Sequence, residues 1–250
     1  AMNVQMWINA STQRNIEVLK NDGINFIGPE IGSMACGEYG EGRLSETSTI
    51  VRETLDFIYA YYSKPLKDLS AIVTAGPTQE MIDPIRFISN ESSGKQGYAI
   101  ADRLSKLGAE TTLISGPTHL DPPANCNLIK VRSANDMLNA CENSLPSDIV
   151  VCAAAVGDFK VEKFNNEKIK KSGNTLNLEL NENVDILKSI GTRNSKRPKL
   201  VIGFAAETNN LIKNATKKLN SKGSDWIIAN DVSNGKVIGK NHNEICLISN

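Results

Sequence analysis

The chain has 250 residues and carries 28 Lys or Arg against 28 Asp or Glu, a net charge of zero. That balance excludes a strongly cationic protein built for nucleic acid or an anionic membrane, so any anionic ligand must be held by local positive groups. Hydrophobic residues make up 40%, enough for a sizeable core, and no apolar run approaches the length that spans a bilayer. The five cysteines (Cys36, Cys126, Cys141, Cys152, Cys246) are scattered without metal-site spacing. They fit a reducing compartment better than a disulfide framework, so the cytoplasm is the expected location. The opening AMNVQMW reads like the interior of a longer protein, and the chain is expected to be a fragment or a processed product.

In chain order, 11–22 (STQRNIEVLKND) has the apolar spacing of a helix ending at Gly23, and INFIG at 24–28 reads as a short strand. The following glycine-rich stretch, GPEIGSMACGEYGEGRLSE, has no period and is expected to be a loop. Helical period returns over 48–62 and stops before Pro65, which makes 63–70 the linker candidate. A second unit opens at Ala71 with AIVTAG as a strand, and YAIADRLSKLG is a helix closing at Gly108. AETTLISG and NLIKV are strands, and SANDMLNACENSL is a helix capped near Ser133 or Asn135. DIVVCAAAV is a buried strand, TLNLELNEN an alternating one, and VDILKSIGTR a helix. KLVIGFAAET, the helix NNLIKNATKKLNSKG, DWIIAND and NEICLIS complete the chain. Strands alternating with helices predict an α/β fold, a Rossmann-like mostly parallel sheet with helices on both faces. In such sheets the site lies beyond the C-terminal strand ends, where the strand order reverses.

Several stretches carry candidate chemistry. The strand-turn-helix sequence through Gly76 and NESSGK suits an anion, with Ser92, Ser93 and Gly94 offering donors and Lys95 a point charge. It is neither GxxxxGK[ST] nor G-x-G-x-x-G, and a plain turn and helix cap is nearly as good a reading. Arg86 and Asn90 lie four apart and would share a face if the segment were helical; an Asp83–Arg86 surface pair is the commoner case. AAAVGDF ends a strand in small residues that allow close approach, with Asp158 open to a hydroxyl or a metal, or acting only as a cap. Lys168, Lys170 and Lys171 could neutralise a polyphosphate, although a solvated charge run is the more frequent meaning of such a cluster. GFAAET and IANDVS could line a base or ribose pocket, or be ordinary strand ends. No HExxH, GxSxG or Cys/His cluster is present, and metal ligands stay unassigned. Together these favour a phosphate-rich ligand and nucleotide-dependent activation over redox chemistry or hydrolysis.

VTAGPTQEMIDPIRFISNESSGKQGYAIA at 73–101 resembles the signature of the phosphopantothenate–cysteine ligase (phosphopantothenoylcysteine synthetase) family almost throughout. AAAVGDF, KIKK at 168–171, NENVDIL, GFAAET and DWIIANDVS resemble further motifs of that family, in order, over about residues 70–250. AMNVQMW, TQRN and GPEIGSMACGEYGEGRLSE resemble the tail of phosphopantothenoylcysteine decarboxylase, a flavoprotein domain that precedes the ligase in many bacterial chains. The resemblance implies three regions. Residues 1–62 would be the C-terminal remnant of the flavoprotein domain, with its order left open; 63–70 would be a linker and 71–250 the ligase domain.

What the family does is then expected here. CTP would activate 4′-phosphopantothenate as an acyl cytidylate with release of pyrophosphate, and the amine of L-cysteine would displace CMP. Mg2+ would accompany the nucleotide, and FMN would belong only to a complete bifunctional protein. By motif, Asn90 would act on the activated intermediate and Lys168 in forming it. Ser92, Ser93 and Gly94 would cradle phosphate, Ala154 and Ala155 would form the carboxylate pocket, and Asp158 and Phe204 would lie on the cytidine side. Asn3 and Cys36 would match decarboxylase positions, with no decarboxylase activity expected of this chain alone. A homodimer paired through the ligase domain is expected, with TLNLEL at 175–180 as an exposed pairing strand.

Three spellings depart from the family: Gly157 for Ala, Val184 for Pro, and GKNHNEICLI near the end, where Asn243 persists but Lys240, Asn241 and His242 do not follow the usual pattern. The rival readings are a nucleotide-binding oxidoreductase with another substrate, and a regulatory subunit on the same fold without turnover. CTP as against ATP rests on the resemblance alone.

Overall fold

The computed structural model describes residues 1–171, 173, 175–232 and 244–249; the variant spelling at Lys240, Asn241, His242 and Asn243, and Ser233, lie outside them. The chain divides into two compact units, Ala1–Ser63 and Lys64–Asn250.

In the first unit, helices α1 (Val4–Trp7) and α2 (Ala10–Asn21) precede strands β1 (Glu30–Ser33) and β2 (Tyr39–Arg43), and helix α3 (Thr47–Ser63) follows. The side-chain oxygens of Asn3 and Asn9 accept the N–H groups of Met6 and Ser11 and start the first two helices. The strand expected at 24–28 does not form. Phe26 and Ile27 are apolar because, with Ile16 and Leu19, they line a hollow of about 390 Å³ within this unit. The stretch expected as a loop is the antiparallel β1–β2 hairpin. Its glycines mask the strand period, yet the fold needs them: a Cβ on Gly42 would stand 2.2 Å from the carbonyl oxygen of Met2. The start of the chain could not cross the hairpin otherwise.

The second unit contains β3 (Ser70–Ala75), β4 (Gln79–Met81), β5 (Phe87–Ser89), α4 (Lys95–Lys106), β6 (Glu110–Ser115) and β7 (Cys126–Lys130). These are followed by α5 (Ala134–Asn143), β8 (Ile149–Cys152), β9 (Phe159–Val161), β10 (Leu180–Glu182) and α6 (Ile186–Gly191). The last elements are β11 (Leu200–Glu207), α7 (Leu211–Lys222), β12 (Trp226–Asp231) and β13 (Cys246–Ser249). Seven strands form one sheet in the order β13-β12-β11-β8-β3-β6-β7. Every pairing in it is parallel except β12 with β13. The first strand, β3, lies inside the sheet; the next two sheet strands are laid to one side of it and the later four to the other. The order therefore reverses between β3 and β8, as in doubly wound folds.

Alternate residues of the strands feed two apolar layers. Ile72, Ile114, Val150 and Val201 pack under Met137 and Cys141 of α5, Ile190 of α6 and Leu219 of α7. Val73, Leu113, Val151 and Ile202 pack under Tyr98 and Ala101 of α4. Each fully buried aliphatic side chain contributes about 1.5–3 kcal/mol, so strands buried on both faces read as continuous apolar runs. The expected Rossmann-like sheet with helices on both faces is the one observed. Ser133 caps α5 in a reciprocal box with Asp136.

Elsewhere the sequence reading needs correction. Residues 87–89 are a strand, so Arg86 and Asn90 do not share a helical face. Of TLNLELNEN only Leu180–Glu182 is a strand, paired antiparallel with β9. The stretch read as a linker sends Leu66 and Leu69 against the core, with Leu66 N–H donating to Leu107 O and Glu110 N–H to Leu69 O.

At the N-terminal ends of the strands, Asp148 ties three of them together. Its Oδ2 accepts the Ser70 N–H at 2.9 Å and hydroxyl at 3.0 Å, its Oδ1 pairs with Lys199 at 2.8 Å, and its carbonyl accepts the Leu200 N–H. The Lys199 ammonium, and then the Ser70 donors, hold this carboxyl down to about 2. Its folded value lies below the ordinary value of about 4, so its contribution is complete above that value and is lost as pH falls toward about 2. Urea melts should therefore show wild type more stable than Asp148→Asn at pH 6, with the gap closing over that acidic window. A gap independent of pH would contradict the assignment.

Candidate functional site

A cleft of about 1000 Å³ opens at the C-terminal ends of β3, β8 and β11, beside the reversal between β3 and β8. One wall is the segment Asn90–Gly97, leading into the first turn of α4. Gly94 is the N-cap of α4 at φ 76° and supplies no side-chain cap. A Cβ there would meet Thr118 Cγ2 at 2.7 Å, and one on Gly76 would meet the same methyl group at 2.8 Å. The two glycines let the helix start sit down on the β3 turn. Gly76 thus stands behind the wall and does not line the cleft. Ser92 and Ser93 turn their hydroxyls toward the N–H groups of Gly94 (3.3 Å) and Lys95 (3.5 Å), local bonds that shape the loop. The dipole and the open donors of a helix start favour an anion on this wall.

The floor is the turn after β8. The Ala155 N–H donates to Gly76 O (2.9 Å), the Gly157 N–H to Thr78 Oγ1 (2.9 Å), and Thr78 is fully buried. Asn90 Nδ2 donates to Val156 O at 2.9 Å and Asn183 Nδ2 to Gly157 O at 3.1 Å. One N–H of the Asn90 amide is thereby fixed; its oxygen and second N–H remain for a ligand. Two of the spelling departures are accommodated here. A Cβ on Gly157 would make ordinary contact with Glu80 and Thr78, at 3.5 and 3.6 Å. Val184 has an N–H that proline lacks, and it donates to Asn183 Oδ1 at 3.0 Å.

The opposite wall contains Asn183, Asp185, Phe204, Asn230, Lys218 and Lys222. Asp185 caps α6 through the Lys188 N–H and pairs with Lys222 Nζ. Burial pushes its carboxyl up, but Lys222 and the cap outweigh this and hold it below the ordinary carboxylate value. Lys218 Nζ donates to Phe204 O at 2.7 Å. Burial, with Lys222 nearby, pushes its ammonium below the usual lysine value against the pull of Asp185, Glu207 and Asp158. Cys152 also borders the cleft, and burial pushes its thiol up to about 12.

Of the residues singled out in the sequence, Asn90, Ser92, Ser93, Gly94, Lys95, Ala154, Ala155, Asp158 and Phe204 come together around this cleft. Gly76, Arg86, Lys168, Lys170 and Lys171 are not among the lining residues. The three lysines are exposed, in the stretch between β9 and β10. Arg86 Nη1 donates to Asp83 Oδ2 and Ile169 O. In the first unit Asn3 caps α1 and Cys36 is exposed in the hairpin turn. Sequence reasoning missed Lys218 and Lys222. The available signal was their place with Ala215 and Leu219 in the stripe that α7 turns inward, where a lysine needs a polar reason. Among the described residues no cluster of His, Cys, Asp or Glu forms a metal site. No described helix is long and apolar enough to cross a membrane.

Sheet order and cleft define a doubly wound α/β protein with a polar, lysine-bearing cleft at its switch point. Residues 66–250 match the family model described as DNA/pantothenate metabolism flavoprotein C-terminal domain, and residues 1–59 match the model described as flavoprotein. The chain belongs to the first of these families over residues 66–250. It is 44% identical over 248 residues to the coenzyme A biosynthesis bifunctional protein CoaBC of Haemophilus influenzae, covering 99% of this chain and 61% of that protein. The Bacillus subtilis protein of the same name is 44% identical over 250 residues, again 99% and 61%. A crystal structure of the C-terminal domain of a CoaBC protein superposes with a TM-score of 0.62 at 41% identity, over 74% of this chain and 84% of that one. The chain thus spans about three fifths of the length of its curated relatives.

An anion in the cleft favours the charged form of Lys218, so affinity must fall as pH rises through that lowered value. Calorimetric titration with inorganic tripolyphosphate between pH 7 and 10 should show this fall for wild type and a flatter profile for Lys218→Arg. Parallel profiles would remove Lys218 from the anion site.

Proposed function

We propose that the Lys64–Asn250 unit is a phosphopantothenate–cysteine ligase acting in coenzyme A biosynthesis. The observation that carries this reading is one cleft holding both a helix start suited to phosphate and, across from it, half-buried lysines, with a fixed asparagine on the rim. A carboxylate oxygen of 4′-phosphopantothenate attacks the α-phosphorus of CTP, and pyrophosphate leaves. The amine of L-cysteine then attacks the acyl carbon, loses a proton and expels CMP. The mixed anhydride is needed because a carboxylate oxygen is a poor leaving group.

Ser92, Ser93 and Gly94 with the first turn of α4 bind phosphate, assisted by Lys95. Ala154 and Ala155 leave room for the carboxylate, and Phe204 and Asp158 face the nucleoside. Asn90, held by Val156 O, presents its remaining amide donor where negative charge develops on the acyl oxygen. Lys168 serves the first step, with Lys170 and Lys171 adding charge, and this requires the 162–179 stretch to fold over the bound nucleotide. Magnesium, when bound, would neutralise and orient the triphosphate; Asp158 is one of the cleft carboxylates that could face it, beside Glu91 and Glu182, which suits an ion held mainly by phosphates.

No flavin step is assigned to residues 1–63. In this unit Asn3 and Asn9 serve as helix caps and Cys36 stands in an exposed turn, and FMN belongs to a complete bifunctional protein. Decarboxylation is not expected of this chain alone. Leu176, Leu178 and Leu180 are 54%, 39% and 45% exposed at alternate positions, which supports a homodimer paired along that segment.

Pyrophosphate release should require 4′-phosphopantothenate, magnesium and CTP, with ATP a poor replacement. Lys168→Ala should abolish it. Asn90→Ala should still release pyrophosphate but form ligated product about 100-fold more slowly, the usual cost of one such donor. Sedimentation of the same preparations should give two protomers. Tight CTP binding without turnover would favour the non-catalytic reading.

A further inference from the structure

Between β9 and β10 the chain runs from 162 to 179 with no helix or strand among its described residues, yet one residue in it is held firmly. The Ile169 N–H donates to Asp83 Oδ2 at 3.2 Å, and the Ile169 carbonyl accepts from Arg86 Nη1 at 3.1 Å. The same Arg86 nitrogen donates to Asp83 Oδ2 at 2.9 Å. Asp83 is fully buried, and its other oxygen accepts the N–H groups of Ile85 and Arg86, both at 2.8 Å. A single ion pair therefore satisfies both backbone groups of Ile169. Lys168 and Lys170 flank that residue and are exposed. Upstream, Asn165 N–H donates to Ile82 O at 3.0 Å, a second tie to the same turn.

The turn that carries the pair is itself fixed. The Gln79 N–H donates to Arg132 O, and the buried Glu80 accepts the Ala134 N–H at the start of α5. Ser89 Oγ donates to Thr78 O at 2.7 Å, and the next residue is Asn90. One short hairpin thus presents Asn90 at its exit and grips the lysine segment at its tip. Burial alone would push the Asp83 carboxyl up, but the three backbone N–H donors and the guanidinium hold it below the ordinary value. It stays charged as an anchor throughout the neutral range.

We propose that the Asp83–Arg86 pair is a clamp that pins the lysine segment at Ile169, the fixed point from which its flanking lysines fold over the nucleotide, so that Arg86 is a positioning residue and not a ligand of substrate. This rests on the ligase reading for its effect on turnover, but the clamp itself can be tested apart from it. Both Arg86 bonds come from one nitrogen, and a lysine ammonium can supply both. A bidentate grip on phosphate or carboxylate could not be replaced that way. Arg86→Met leaves Asp83 with its three backbone donors but removes the partner of the Ile169 carbonyl.

The test compares the whole chain with Arg86→Met and Arg86→Lys. Brief trypsin treatment with mass-spectrometric mapping reads cleavage after Lys168, Lys170 and Lys171, alongside the melting temperature, and pyrophosphate release gives kcat and KM for CTP and 4′-phosphopantothenate. Arg86→Met should raise cleavage at those lysines about tenfold with little change elsewhere, as expected for loss of charge-assisted hydrogen bonds. It should lower kcat by a similar factor while both KM values move less than about threefold. Arg86→Lys should recover most of both. Unchanged cleavage at 168–171, or cleavage rising everywhere with a fallen melting temperature, overturns the clamp. A raised KM for 4′-phosphopantothenate at constant kcat, not rescued by lysine, would make Arg86 a ligand and overturn it too. Local release of the segment in Arg86→Met, in a protein whose parent never turns over CTP, supports the clamp and sinks the ligase reading.

Discussion

The structure depends on two adjacent parallel strands whose chains leave in opposite directions. β3 and β8 pair in register from Ala71 with Ile149 to Thr74 with Cys152, and beyond those residues their loops must diverge. Divergence opens a cleft, and the loops would collapse or splay without cross-links. They are stitched by backbone and hydroxyl bonds: Ala155 N–H to Gly76 O, Thr78 N–H to Ala155 O, and Gly157 N–H to the buried Thr78 Oγ1. Small residues are required on both sides because the stitches bring backbone against backbone. The cleft is polar for the same reason, since it is walled by strand ends and a helix start whose backbone groups are not all consumed by the sheet.

Around that stitched floor, chemistry is distributed by distance from the rigid sheet. Asn90 is tied to Val156 O, and Lys218 to Phe204 O, so both belong to the preformed part. The lysines at 168, 170 and 171 belong to a stretch gripped chiefly at Ile169 and Asn165. A site with a fixed floor and a charged segment held at a few points suits the proposed two-step ligation, whose first step would have to neutralise a polyphosphate that the second no longer contains.

The sheet was legible in the sequence because parallel strands buried on both faces are continuous apolar runs, such as IVVC at 149–152 and AIVTA at 71–75. The cleft residues at strand ends were legible for the related reason that small and polar residues interrupt those runs. Short elements were not. The β4–β5 hairpin has strands of three residues, too short to show a period, and its turn buries an aspartate that the sequence alone presents as a surface partner of Arg86. The β1–β2 hairpin was hidden by the glycines that make it possible. Lys218 and Lys222 were hidden because a lysine-rich helix is usually a solvated one, and only the position of these two on the inward stripe separates them from Lys213 and Lys217.

The central claim is that floor, helix start and clamped lysine segment act as one nucleotide site. Hydrogen exchange of the whole chain with and without CTP and magnesium tests it most directly. The account predicts slowed exchange in three separate stretches, 91–97, 154–158 and 165–171, with the N-terminal strand ends unchanged. Protection confined to the α4 start, with 165–171 exchanging as freely as before, would contradict it.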